Sequence, residues 1–450
     1  MSTETIIAVA YAAVFLLVCF KHPKVALMLT FASAPFQNDL SGDLPVRFSM
    51  AEVNLVLSAL VYVRVLVNRG QFARLGPLAV PLVLYFAISL LSSLRDWRDT
   101  TTISLVQTAT YLIVAVTVFA GLAETVADYR WSFYGLVAVG VFIAAVSLVG
   151  ESTTVLNLNK NGAGGSLSCG LLVALELWLN TSERRQKWLL LGAMAVIAIG
   201  LIYTLSRGAW LGTITGLIVL FAVKGEFKSL VKTLAVLTPL VAIAWINLPP
   251  ESQDFATGFD TQRVNIAARL VSIETAQSYF LTEPVLGVGV GLRKEFDATN
   301  VVMTMLAETG VLGLGAFVLI HIVLYRMIWT SYASVPRESL ASSVLAIAGA
   351  LVASKLGHGL VDHYWSRGSL MLAWAGVGMA ILVHYRVCDS ITVSSIPSLR
   401  KAGQRRGELI RALRPYPVEV EFPHTPLPRR GPIRGPIVGG RLRGLDSEDR

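Results

Sequence analysis

Residues Glu283–Leu314 read EPVLGVGVGLRKEFDATNVVMTMLAETGVLGL, with glycines alternating at 287, 289 and 291. The pattern invites a phosphate-wrapping loop and with it a nucleotide-binding α/β fold. The residues exclude both. A dinucleotide fingerprint needs glycine where Leu292 stands, and a P-loop needs G-K-[ST] where Arg293, Lys294 and Glu295 stand. The residues after the glycines decide the fold instead. From residue 303 to 329 the chain is almost wholly apolar, long enough to cross a bilayer, which takes about 20 residues. The glycines thus lie where a loop re-enters lipid and must turn tightly against other helices.

The rest of the chain agrees. Of its 450 residues 54% are hydrophobic and 15% charged, with a mean hydropathy of +0.62, whereas a soluble protein carries about 25% charged residues. Apolar runs fall near 6–20, 24–37, 51–67, 77–94, 103–122, 131–149, 163–179, 187–205, 208–223, 229–247, 303–329, 340–358 and 369–386. They predict an all-α polytopic membrane protein of twelve or thirteen transmembrane helices. The first two runs are short, which leaves a re-entrant hairpin open there. Barrel strands would instead alternate over about 10 residues. The opening MSTET lacks the basic region of a cleaved signal, so the first run is expected to stay as a span. Cys19, Cys169 and Cys388 lie far apart and point to neither a disulfide framework nor a zinc site.

Basic residues near spans stay on the cytoplasmic side. The tail from Arg386 to Arg450 has thirteen Arg/Lys against seven Asp/Glu, and placing it inside also puts Lys224, Lys228, Lys232, Arg184, Arg185 and Lys187 inside. The net charge of +9 is mostly this tail. Its Pro/Gly/Arg-rich composition predicts a disordered extension that helps fix topology rather than a nucleic-acid partner. The expected organisation is a membrane domain over 1–387 and a cytoplasmic tail over 388–450.

This topology gathers polar residues on the outer face. They are Arg47, Arg95 and Arg98, the asparagines 157, 159 and 161 of NLNKNGAGG, Arg207 of LSRGAW, a long loop over 248–302, and KLGHGLVDHYWSRG. Asn265–Phe280 has apolar residues at 266, 270, 273 and 280, the spacing of an amphipathic helix, with Arg269 at membrane level. One arginine there would simply snorkel. Several converging arginines suit a pyrophosphate headgroup, because guanidinium engages phosphate bidentately and keeps its charge near lipid. Glu308 lies inside the outer part of a span, where an ionisable group is costly and so a candidate for the site, with a wet cleft as the plain alternative.

The order SRGA, an arginine-bearing helix, PVLGVGVG, then TN followed by ETGVLGL resembles the O-antigen ligase family, which includes Wzy-type polysaccharide polymerases. LNKNGAGG and DLPVRFSMAEV resemble its earlier outer elements. The resemblance implies metal-independent glycosyl transfer on the outer face of the bacterial cytoplasmic membrane, without cofactor. The donor would be an undecaprenyl-pyrophosphate-linked glycan and the acceptor a sugar hydroxyl of a glycan or lipid-glycan, with membrane lipids and polysaccharide assembly proteins as further partners. It assigns Arg207 and Arg269 to the donor phosphates and draws in Asn300, Arg47, Asn159 and Asn161. The family's motif reads His-Asn where this chain reads Thr299-Asn300, and threonine is no base near neutral pH. His358 and His363 are the substitutes, with Asp362 to orient an imidazole. Their spacing lacks the third ligand of a zinc site. A lipid-linked oligosaccharide flippase and a non-catalytic scaffold of an export complex are the competing functions.

Overall fold

A computed structural model of the chain describes residues 3–37, 49–69, 75–149, 154–155, 158–258, 264–292, 299–365 and 368–394. Arg47 and Asn157, like the tail from 395 onward, lie outside them. The described residues belong to one compact unit. The fold is all-α and polytopic, as the apolar runs predict, with one short hairpin of Thr154–Val155 paired to Leu158–Asn159. Among the described residues eleven helices are long and apolar enough to cross a membrane.

The chain opens with α1 (Thr3–Lys21) and α2 (Pro23–Ser33), which are not among those eleven. These are the two runs whose shortness left a hairpin open. There follow α3 (Met50–Arg69), α4 (Ala79–Ser93), and α5 (Asp99–Ala109), which continues through a π-helical turn into α6 (Val116–Leu122) as one span. Next come α7 (Tyr129–Val149), α8 (Lys160–Asn180), α9 (Arg184–Tyr203), α10 (Arg207–Lys224) and α11 (Phe227–Ile246). Two helices, α12 (Pro250–Thr257) and α13 (Val264–Thr282), lie in the long loop, and α14 (Val301–Tyr332), α15 (Leu340–Gly359) and α16 (Ser369–Ser394) complete the bundle.

Burial separates centre from rim. In α8 and α15, 83% of the spanning window is buried inside the protein, against 12% in α11, so the former pair build the core and α11 faces lipid. The centre is close-packed because its helices are rich in small residues. Gly208, Gly212 and Gly216 recur every fourth residue along α10, and a Cβ at Gly212 would stand 2.6 Å from the Ser354 carbonyl of α15. Without a hydrophobic drive between helices in lipid, such small-residue approaches carry the association. At the far end of the same helices Lys224 Nζ binds both Glu176 oxygens, at 3.0 and 3.1 Å. The loop position expected for Lys224 gives way to a buried ion pair, since α10 runs one residue further, through Lys224, before Gly225 ends it in a left-handed conformation.

The span expected to run unbroken over 303–329 is interrupted. At Gly310 the backbone takes φ +62° and ψ −166°, leaving one half-helix before it and another after. The segment 284–291 fills the gap. Val288 N and Gly289 N donate to the carbonyls of Ala307 and Glu308 at 2.9 and 3.0 Å, closing the first half. Val311 N donates to Pro284 O at 2.9 Å and Leu312 N to Val285 O at 3.3 Å, closing the second. The Glu308 carboxylate accepts the Gly291 N–H at 2.9 Å, and Thr101 Oγ1 donates to Val290 O at 2.8 Å. Arg98 Nη2 reaches the carbonyls of 288 and 289, while Arg95 pairs with Glu283. The alternating glycines are therefore a backbone strap, not a phosphate loop. Gly287, Gly289 and Gly291 have φ of +70°, +98° and +114°, and a Cβ on Gly287 would sit 2.5 Å from the Glu308 carbonyl carbon.

A methyl group tests this arrangement. Gly310→Ala would place its Cβ 2.3 Å from Val285 O at a positive φ, costing about 1–3 kcal/mol from the glycine-only backbone conformation alone. Gly315, whose Cβ would meet nothing within 4 Å, is the control. Thermal melts in detergent should fall by several degrees for Gly310→Ala and hold or rise for Gly315→Ala. Equal melting of the two would contradict the break.

Candidate active site

Two helix starts lie side by side at one end of the bundle. Asn159 caps α8, its side chain accepting the Gly162 N–H at 2.6 Å, and Ser206 caps α10, accepting from Ala209 N. Ser206 Oγ also donates to Asn161 Oδ1 at 2.9 Å, which joins the two first turns. Their opening residues are Lys160 and Arg207. Arg207 Nη1 donates to the Gly258 carbonyl at 3.1 Å, fastening the long loop to α10.

The long loop brings Arg269 to the same place. Helix α13 exists as its spacing predicts, and Ile266, Ile273 and Phe280 of the expected stripe are half-buried, whereas Leu270 is exposed. Ala276 is fully buried, with Arg269, Ser272 and Tyr279 half-buried on its side, while Leu270 and Val271 are exposed. Ala276 packs with Leu292, which follows the strap, and with Ala307 of α14. Arg269 thus lies on the protein-facing side of its helix rather than snorkelling from the far one. Its charge acts on both Lys160 and His358, and those of Arg207 and Asp362 act on Lys160.

His358, in the last turn of α15, is wedged between α8 and α10. A Cβ on Gly208 would approach its Cδ2 to 2.6 Å, which is why the residue after Arg207 has no side chain. Its Nε2 lies 3.1 Å from Asp362 Oδ2, and since a carboxylate only accepts, that nitrogen carries the proton. The other oxygen, Asp362 Oδ1, accepts the His363 backbone N–H at 2.8 Å and lies 4.0 Å from His363 Nε2. Burial alone would push the Asp362 carboxyl up. The hydrogen bond and charge of His358, with His363 beyond it, outweigh burial and hold the group at about 2. His358 is buried, whereas the His363 side chain is 48% exposed, so of the two His363 is the one open to solvent. Lys355 Nζ donates to the His363 carbonyl at 2.8 Å and steadies the turn.

Asn300 connects this turn to α14. Its Oδ1 accepts from Val302 N and Met303 N, capping the helix, and its Nδ2 donates to Leu360 O at 2.8 Å. The Thr299-Asn300 position and the turn carrying Asp362 and His363 are therefore adjacent, though about sixty residues separate them in sequence. Thr299 itself has a φ of +35°. The structure gathers Lys160, Asn161, Arg207, Arg269, His358 and Asp362, and ties Asn300 to them through Leu360. Glu308 braces the strap through the Gly291 N–H, and Asn159 is a helix cap. Lys160 was missed. The signal was a lysine between two asparagines in NLNKNGAGG, opening a helix at the end where its charge is least favourable.

Asp362 carries a pH signature. With its folded value near 2 and an ordinary value of 3.8, it adds stability that is full above about pH 4–5 and drains away as pH falls through about 2. Asp362→Asn should lower the melting temperature at pH 7, and its gap to the wild type should narrow by about pH 3. A gap unchanged between those pH values would show that Asp362 is not held ionised by the histidines.

No curated protein matches the chain. Residues 192–318 match the family model for O-antigen ligase, a stretch that runs from within α9, through Arg207, the long loop, Arg269 and the strap, to the half-helix beyond Gly310. Over that stretch, which holds both arginines and the break, this membrane protein is similar to the O-antigen ligase family.

Proposed function

We propose that the protein transfers a glycan from an undecaprenyl-pyrophosphate donor to a sugar hydroxyl, by polymerisation or by ligation, on the outer face of the bacterial cytoplasmic membrane. The observation that carries this reading is the convergence of Arg207 and Arg269, from sequence-distant elements, beside the His358–Asp362–His363 turn. The acceptor oxygen attacks the anomeric carbon, the bond from that carbon to the pyrophosphate oxygen breaks, and the electron pair leaves with the diphosphate. Arg207 and Arg269 hold the phosphates and neutralise the charge that grows on the leaving group, a form of stabilisation that supplies much of the rate in such reactions. The acceptor proton goes to His363, oriented by Asp362, in place of the motif histidine that Thr299 replaces. Asn300 supports this assignment, since it holds the motif position against the turn that carries His363.

One observation favours a transporter: broken spans are common in them, with half-helix ends turned towards the substrate. Here the strap's backbone occupies both ends at Gly310, which leaves them for no substrate and supports the enzyme reading. The missing motif histidine is what a scaffold would show.

The arginines separate these readings. Lysine keeps the charge but not the planar fork, so Arg207→Lys and Arg269→Lys should each lose about ten- to a hundredfold in transfer from purified lipid-linked donor, at matched stability. Arg95→Lys, whose residue pairs with Glu283, should transfer normally. His363→Ala should reduce turnover with donor binding intact. Normal turnover in both Arg→Lys variants would put the scaffold ahead.

The orientation has its own measurement. Cysteines placed at 161, 258 and 363 in a background free of native cysteine should react with an impermeant thiol reagent in intact cells, and one at 226 should not. The reverse pattern would invert the topology and remove the site from the outer face.

A further inference from the structure

The main chain of His363 is held at both ends by buried charge. Its N–H donates to Asp362 Oδ1 at 2.8 Å, and its carbonyl accepts from Lys355 Nζ, also at 2.8 Å. Lys355, near the end of α15, is 1% exposed and Asp362 is buried too, whereas nearly half of the His363 side chain is open to solvent. A charge is costly to bury unless hydrogen bonds and opposite charge replace its water. A tie that served stability alone would need no charge, since a hydroxyl or an amide can donate to the same carbonyl. The chain leaving His363 is fixed as well. Tyr364 and Trp365 are buried, Tyr364 edge-on to Phe317 of α14 at 5.3 Å and Trp365 stacked on Tyr85 of α4 at 6.1 Å. The Lys355 ammonium stands 5.7 Å from the centre of the Tyr364 ring, within reach of a cation–π contact. His363 is thus anchored at its own main chain and just after it, and the imidazole is the part that solvent reaches.

We propose that Lys355 is a positioning residue: with Asp362 it clamps the main chain of His363 and so sets the direction in which the imidazole points. Fixed φ and ψ restrict the rotamers open to a side chain. The clamp therefore keeps the imidazole beside Asp362, whose Oδ1 lies 4.0 Å from its Nε2. The proposal rests on the glycosyl-transfer reading only for what the imidazole is held ready to do, which is to take the acceptor's proton. A base must lie within hydrogen-bond reach of the hydroxyl it deprotonates, and a misplacement of about 1 Å costs on the order of a hundredfold in rate.

The test uses the full chain in detergent. Lys355→Met keeps the length and packing of the side chain but removes the donor, and Lys355→Arg keeps a charged donor. Diethyl pyrocarbonate modifies exposed imidazoles, and mass spectrometry reads each histidine separately. In Lys355→Met the rate at His363 should rise severalfold as the imidazole leaves Asp362, while exposed His22 reacts as in the wild type. Lys355→Arg should restore the His363 rate. In transfer from purified lipid-linked donor, Lys355→Met should lower kcat per folded molecule about tenfold or more with KM for the donor unchanged, and Lys355→Arg should recover most of it. A His363 rate that does not rise in a folded Lys355→Met overturns the proposal, whatever the turnover. A raised rate in protein that transfers no glycan upholds the clamp and defeats the transfer reading, and a raised rate with normal turnover upholds the clamp and removes His363 as the base. If neither variant folds, the wild type decides. The Lys355 amine should resist acylation in the native protein under conditions that modify exposed Lys187, and equal modification of the two overturns the clamp.

Discussion

The backbone hydrogen bonds between the 284–291 strap and the two halves of α14 are the constraint on which the rest depends. A helix broken inside a bilayer exposes carbonyls on one side and N–H groups on the other, and lipid satisfies neither. The strap answers both with its own backbone. Because it is continuous with α13, closing the break also fixes α13 against Ala307 and so sets where Arg269 stands. Because it closes the first half of α14, it also sets where Asn300 can reach Leu360. One set of main-chain bonds thus positions both the loop arginine and the turn with the two histidines.

Two kinds of polar economy coexist in the bundle. At the far end Glu176 and Lys224 are buried as a pair, with Asn180 donating to Glu176 and to Ser343. Breaking such a pair leaves one charge uncompensated, so its partners must be complete. At the site Asp362, hydrogen-bonded to His358, also acts on Lys160, as do the charges of Arg207 and Arg269.

The sequence by itself determined the solvent and hence the class. Runs of about 20 apolar residues with few charges allow helices in lipid and little else. It also determined that the alternating glycines bind no nucleotide, and that Arg207 and Arg269 belong to an O-antigen ligase-like stretch. Those facts are local, since each is carried by composition or by residues at fixed spacing. The break at Gly310 was not legible, because ETGVLGL has the hydropathy of a continuous span and nothing local tells that 284–291 will replace the missing hydrogen bonds. The buried side of α13 was legible in part: Ile266, Ile273 and Phe280 are half-buried as their spacing predicts, but Leu270 is exposed and Ala276 packs against Leu292 and Ala307. Only the tertiary structure decided that Lys160 stands with the two arginines and that Asn300 touches the 360–363 turn. Those contacts join segments far apart in sequence, and no periodicity within one segment encodes the partner that another will bring.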